Sequence, residues 1–205
     1  MYTLQQSLLA LCHLLSEPEN HIPIVQQGMI ATLAALSSHD NDLLMDLCAL
    51  SFLNFSCTEE SRKHVVGAGA VVAIISLSRH KSLVTQRRCA AALCNVTSYE
   101  AGMQRMVGDG IIPALVNLVV SEDVETVRYA CAAICRMCST VENGKLILES
   151  GAIPNIVCGA KEGDLQTMIT CCSVLSSLSF YESCRIKLCE FGIISALKSL
   201  SELND

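Results

Sequence analysis

Five glycines recur at a spacing of 41 residues: Gly28, Gly69, Gly110, Gly151 and Gly192. Each opens the same phrase, in Gly28-Met-Ile, Gly69-Ala-Val, Gly110-Ile-Ile-Pro, Gly151-Ala-Ile-Pro and Gly192-Ile-Ile. Self-similarity at a period of this size is the signature of stacked supersecondary units, each covering the apolar side of its neighbour. The expectation is one elongated repeat domain over residues 1–205, with a continuous core and a working surface rather than a cavity for chemistry.

Offsets from each glycine define the unit. Offsets +2, +5 and +8 give Ile30, Leu33 and Leu36, then Val71, Ile74 and Leu77, then Ile112, Leu115 and Leu118. The series continues with Ile153, Ile156 and Gly159, and with Ile194, Leu197 and Leu200. Spacing by three places them on one face of a short helix. Pro113 and Pro154 fall in its first turn, where a missing N–H does little harm. Offset +13 gives Asn41, Ser82, Asp123 and Asp164, all residue types that cap helix N-termini. These predict long helices over 41–57, 82–98, 123–139 and 164–180. The apolar face of the third is Val127, Ala130, Cys131, Ile134 and Met137. Polar loops are expected next, as at Thr58-Glu-Glu-Ser61 and Thr140-Val-Glu-Asn143. A further short helix then runs to the next glycine, which is expected to supply a sharp turn and close approach between helices. Each period therefore holds three helices, and the fold class is all-α.

This pattern resembles the armadillo-repeat family. The resemblance rests on the phrase G-[AI]-I-P-x-[LI]-V at Gly110 and Gly151, on A-x-x-[FL]-x-N ending at Asn54 and Asn95, and on the period. It implies a right-handed α-solenoid, an armadillo superhelix of three-helix repeats. In that frame 1–16 is the long helix of a partial repeat. Full repeats span 17–57, 58–98, 99–139 and 140–180, and 181–205 holds the two short helices of another partial repeat. Leu4, Leu8, Leu11 and Leu15 at one end, with Ile193, Ile194, Leu197 and Leu200 at the other, are expected to be under-covered. Self-association, or continuation of the solenoid through these ends, is the expected consequence.

The resemblance also implies that the long helices line a concave groove, in which an Asn near each helix end bonds the main chain of an extended partner. Offset +26 gives Asn54 and Asn95, with His13 before them and Arg136 and Ser177 after. An amide offers both donor and acceptor, so it can hold a peptide unit whatever the side chain. Offset +22 gives Leu9, Leu50, Ala91, Ala132 and Ser173. The importin-alpha branch has Trp there; this chain has none, which argues against basic nuclear-import cargo. Offsets +18 and +19 supply Arg87, Arg88, Arg128 and Tyr129. Helical spacing turns Arg88, Tyr129 and Arg136 toward the groove with Leu50, Ala91 and Ala132, and leaves Arg87 and Arg128 on its rim. Guanidinium forks suit carboxylate or phosphate, so an acidic protein or peptide is expected, in a groove resembling that of beta-catenin. The competing expectation is a solvated face paired with local acids such as Glu125.

Composition narrows the classes further. A net charge of −6 gives no bulk basic footprint for nucleic acid. Thirteen cysteines lie mostly in apolar helical stretches, as in Cys89-Ala-Ala-Ala-Leu-Cys94, which suits a reduced cytoplasmic chain; nuclear or cytoskeletal association stays compatible. No apolar run is long enough to insert in a membrane. No basic region precedes Leu8–Leu15, so no secretory signal is expected, and Tyr2 stands where myristoylation needs glycine. The glycosylation patterns at Asn54 and Asn95 are discounted because both lie in helices. Cys131, Cys135 and Cys138 read as core packing rather than metal ligands. The pairs Cys12–His13 and Cys57–His64 lack a third orienting group. Asp40, Asp42 and Asp46 lack the glycine and closing Glu of a calcium loop. No cofactor is expected. The reading is a non-enzymatic scaffold for an extended acidic segment; the alternative is a structural unit of a cytoskeletal or axonemal assembly, acting through its ends or convex face.

Overall fold

A computed structural model of the chain describes residues 2–201, apart from the side chains of 199 and 200. Leu200 and the last four positions of the final partial repeat, 202–205, thus lie outside the described side chains and residues. Among the described residues every regular element is helical. A lone long helix, α1 (Tyr2–Leu14), comes first. The next repeat holds α2 (His21–Gln26), α3 (Met29–Leu36) and α4 (Asp42–Phe55), followed by α5 (Glu59–Gly67), α6 (Ala70–Leu77) and α7 (Leu83–Val96). Then come α8 (Met103–Gly108), α9 (Ile111–Val119) and α10 (Val124–Met137), and α11 (Val141–Glu149), α12 (Ile153–Glu162) and α13 (Leu165–Ser179). Two short helices follow, α14 (Glu182–Glu190) and α15 (Ile193–Ser201). Single 3-10 turns at Pro18–Asn20 and Glu100–Gly102 precede α2 and α8.

The contacts gather into two compact units, Met1–Ile111 and Ile112–Asp205. In the first, the long helices α1, α4 and α7 stack side by side, with α3 on α4 and α6 on α7. In the second, α10 stacks on α13, α12 packs along α13, and α14 and α15 cover the far side. Each core is built from the expected offsets: Leu33, Ile74, Leu115 and Ile156 are buried, as are Cys48, Cys89, Ala130 and Cys171.

The long helices start where the capping residues stand. Asn41 accepts the backbone N–H of Leu44 at 2.9 Å, Ser82 that of Thr85 at 3.4 Å, Asp123 that of Thr126 at 2.9 Å and Asp164 that of Thr167 at 2.9 Å. The same device operates at a place the sequence reading takes for loop. Thr58 accepts from the Ser61 N–H and Thr140 from the Asn143 N–H, so Glu59–Ser61 and Val141–Asn143 are first helical turns. Acidic side chains at Glu59, Glu60 and Glu142 suit that end of the helix dipole.

All five periodic glycines have positive φ, from 73° to 88°. Only half of their expected role holds. The left-handed turn is there, but a Cβ built on Gly28, Gly110 or Gly151 meets nothing within 4 Å, so these three make no close helix approach. The tight contacts belong to other glycines, such as Gly159, whose Cβ would lie 2.8 Å from the Cys171 Sγ.

The N-terminal leucine row also needs correction. Leu8, Leu11 and Leu15 are buried, because that row faces α4. Leu4 is half-buried, and the exposed large apolar side chains of α1 are Tyr2, Leu9 and Leu14 instead. At the other end Ile194 and Leu197 are exposed, as expected.

Two outcomes follow. Gly110→Val should lower unfolding free energy by about 1–2 kcal/mol through left-handed strain alone, with Gly110→Asn losing less; urea midpoints of the two variants check the order. The Asp164 carboxyl is held below the usual aspartate value, first by the backbone N–H of Thr167, then by that residue's hydroxyl and the Arg128 guanidinium. Its contribution is complete above its unfolded value and is lost as pH falls through the folded one. Asp164→Asn, which still caps, should flatten the acid limb of thermal stability between pH 5 and pH 2 (about the carboxylate range).

Candidate functional site

The expected groove residues all lie on long helices, and most are engaged within the chain. In the first unit, Asn54 sits half-buried in the last turn of α4, and its Nδ2 donates to the Cys12 carbonyl at 3.3 Å. Asn95, in the same place on α7, donates from Nδ2 to the Ser56 Oγ at 2.9 Å. Each amide thus fastens its helix to the end of the preceding long helix. Leu50, four residues before Asn54, is half-buried, and Ala91, four before Asn95, is buried.

Arg88 is more deeply committed than spacing suggests. Its Nη1 lies 2.6 Å from the Asp46 Oδ2 and donates to the Asp46 carbonyl at 3.2 Å. Thr85 adds a bond to the Asp46 Oδ1 at 3.1 Å. Arginine and aspartate side chains are only 26% and 28% exposed, so water screens this pair weakly. Arg87, one residue earlier, is exposed.

The second unit repeats the theme. Arg128 pairs with both Glu125 and Asp164, and its Nε donates to the Thr167 Oγ1 at 3.2 Å. It therefore ties α10 to the N-terminus of α13. Tyr129 and Arg136 are exposed, and Ala132 is half-buried.

Asp46 and the pair Asp164 and Thr167 are the residues that spacing along one helix misses. Their signal is the repeat itself: a side chain on one long helix meets its neighbours about one period away, as Asp46 and Arg88 do. Charge balance remains uneven all the same. The helices α7 and α10 carry Arg87, Arg88, Arg128 and Arg136 against Glu125 alone, and α13 has no charged residue.

The cysteines do not build a site. All thirteen are free thiols, and Cys12, Cys48, Cys89, Cys94, Cys131, Cys138, Cys171 and Cys184 are buried. Burial pushes the Cys48 and Cys138 thiols up to about 12. Cys131 turns to Cys171 at 3.8 Å, whereas Cys135 turns to Ser177 at 3.5 Å. Among the described residues no three His, Cys, Asp or Glu converge as ligands would. No helix among them is long and apolar enough to cross a membrane.

The Arg88–Asp46 pair should behave as one unit. Arg88→Ala and Asp46→Ala should each cost about 1–2 kcal/mol, and the double variant clearly less than their sum. A double-mutant cycle by urea unfolding reads this; full additivity would mean that the pair contributes nothing.

Comparison with known proteins rests on this geometry. Residues 104–139 match the Armadillo/beta-catenin-like repeat. No curated protein matches the chain. Among solved structures, a computationally designed armadillo repeat protein for modular peptide recognition is similar with a TM-score of 0.91 at 20% identity, over 98% of this chain and 87% of that one. The designed armadillo repeat protein YIII(Dq)4CqI gives 0.87 at 20% identity, over 98% and 86% of the two chains. A related design, in complex with peptide (KR)4, gives 0.85 at 20% identity over 96% and 84%. At such identity the likeness is one of fold. With one repeat matched directly and that fold shared over nearly its whole length, the chain is an armadillo-repeat solenoid.

Proposed function

We propose that the protein is a non-enzymatic scaffold whose long-helix faces hold an extended, acidic segment of a partner protein. The armadillo fold itself supports protein binding, since solved designs of this fold recognise peptides. The observation that carries the finer reading is the charge of a long helix in each unit: α7 has Arg87 and Arg88 with no acid, and α10 has Arg128 and Arg136 against Glu125, in a chain of net charge −6. Asn54 and Asn95 supply main-chain recognition. Each spends one N–H within the chain, and an amide has a second N–H and a carbonyl oxygen to offer a peptide unit. The internal bond also fixes the amide's orientation before a ligand arrives, which lowers the entropy cost of binding.

The arginines divide by exposure. Arg87 and Arg136 are exposed, where a ligand carboxylate can reach them. Arg88 and Arg128 already face Asp46, Glu125 and Asp164, so a ligand acid must compete there. In this reading the chain works in the reducing cytoplasm, where its thiols stay free. A second reading is a structural unit of a cytoskeletal or axonemal assembly. The exposed Ile186, Ile194 and Leu197 on α14 and α15 favour it.

Fluorescence anisotropy with extended acidic, neutral and basic peptides tests the groove. Arg136→Ala should weaken acidic peptides by about 1 kcal/mol, roughly fivefold, and leave neutral ones unchanged. Asn95→Ala should weaken both alike, with a melting curve controlling for its lost bond to Ser56. Added salt should weaken acidic peptides only. Basic peptides binding as tightly as acidic ones would remove the charge assignment.

A further inference from the structure

We infer that the protein forms a two-fold dimer with a second copy of itself through the exposed faces of the short helices α11 and α14. Every residue involved lies in the second unit and off the long-helix faces, so the contact stands or fails independently of peptide binding.

Three offsets define the face. Offset +29 carries Cys57, Ser98, Ser139 and Phe180; +31 carries Glu59, Glu100, Val141 and Glu182; +35 carries Lys63, Gln104, Lys145 and Ile186. All twelve are exposed. Layers with a neighbour on each side leave these positions open, so the exposure belongs to the repeat and not to an end of the chain. What the face carries differs between the units. In the first it is polar, with Glu59 and Lys63 paired at 3.1 Å and Glu100 four residues before Gln104. In the second Val141, Phe180 and Ile186 take such places, 40%, 78% and 74% exposed. Large apolar side chains gathered on an otherwise polar face mark a surface that another molecule covers.

Phe180 is held outward by the residue after it. The Tyr181 hydroxyl donates to the Cys138 carbonyl at 2.6 Å, and its ring lies against Gly144, where a Cβ would meet it at 3.0 Å. The turn from α13 to α14 is therefore pinned. A cleft of about 550 Å³ opens beside Phe180, lined also by Val141, Lys145 and Glu182.

The charges of the face name its occupant. Val141 and Lys145 share one side of α11, Glu182 and Ile186 share one side of α14, and the two helices pack together. Equal offsets set Val141 beside Glu182 and Lys145 beside Ile186. The four make a quadrilateral, with the apolar side chains on one diagonal and two opposite charges on the other. Turned over about an axis in its own plane that runs close to the apolar diagonal, this face complements itself. Val141 meets Val141, Ile186 meets Ile186, and each Lys145 meets the partner's Glu182. The partner's Phe180 then covers the Lys145 stem, which is apolar along its length. A partner of a single charge would leave either the lysine or the glutamate facing its like.

A contact of one face with its own copy closes at two chains. So small a face, against the roughly 20–30 residues a side of a standard interface, makes a weak dimer. Sedimentation velocity over a series reaching about 1 mM, chosen for that weakness, should show monomer and dimer only. Phe180→Ser and Ile186→Lys, which bring in residues that other layers carry at those offsets, should each abolish the dimer and leave the helical circular dichroism spectrum unchanged. Lys145→Glu and Glu182→Lys each oppose like charges and should weaken dimerisation about tenfold. Mixed one to one, these two charge variants should pair as tightly as the wild type, since every facing pair is then of opposite sign. The chain carrying both changes should dimerise alone for the same reason. A wild-type chain that is monomeric throughout the series overturns the proposal. So do Phe180→Ser and Ile186→Lys chains that dimerise as the wild type does, or a mixture of the charge variants that pairs no better than either alone. Mass growing past the dimer would mean that unlike faces pair, and it overturns the two-fold arrangement as well.

Discussion

A three-helix layer of this sequence has no dry interior of its own. Phe52 and Phe55 of α4 are inaccessible to water because α3, α5 and α7 lie around them, and the same offsets are dry in every internal layer. Everything else in the molecule depends on that mutual cover. Stability is then close to a sum of layer terms and nearest-neighbour terms, so damage in one layer is felt mainly by the two beside it. Large apolar side chains, small thiols and alanines alternate along the long helices because two neighbours must be accommodated at once.

Layer on layer also explains where polar groups go. The amides of Asn54 and Asn95 and the guanidinium groups of Arg88 and Arg128 each reach one long helix to the next. A surface of this kind is not a blank basic sheet waiting for an acid. In each unit these groups are partly answered already, so the proposed ligand would gain most where it adds a bond and least where it must displace one. That arrangement favours selectivity over raw attraction.

Much of this was legible in the residues. The glycine period gave the number of layers, and the capping residues at Asn41, Ser82, Asp123 and Asp164 marked the long helices to within a residue or two at their starts. Those signals are local: a left-handed turn and an unsatisfied N–H act within four residues. The starts of α5 and α11 were missed because Thr58 and Thr140 sit in runs polar enough to pass for loop. The misread row on α1 has a different cause. Leu8, Leu11 and Leu15 form an apolar stripe, and a stripe says only that something covers it, not whether the cover is the next layer or empty space. The partners of Arg88 and Arg128 were hidden for a related reason. They sit about one period away, a distance at which helix periodicity says nothing and only the stacking decides.

The buried thiols have a consequence in time. While the layers are closed, eight sulfurs are shielded from solvent, and burial pushes up the thiols of Cys12, Cys48, Cys89 and Cys138. Opening one layer releases several together, some within reach of each other, as Cys131 and Cys171 are. In an oxidising medium repeated openings let disulfides form that block closure, so the route back is expected to differ from the route out. The expected result is hysteresis, with unfolding reversible in a reducing environment and a one-way ratchet outside it.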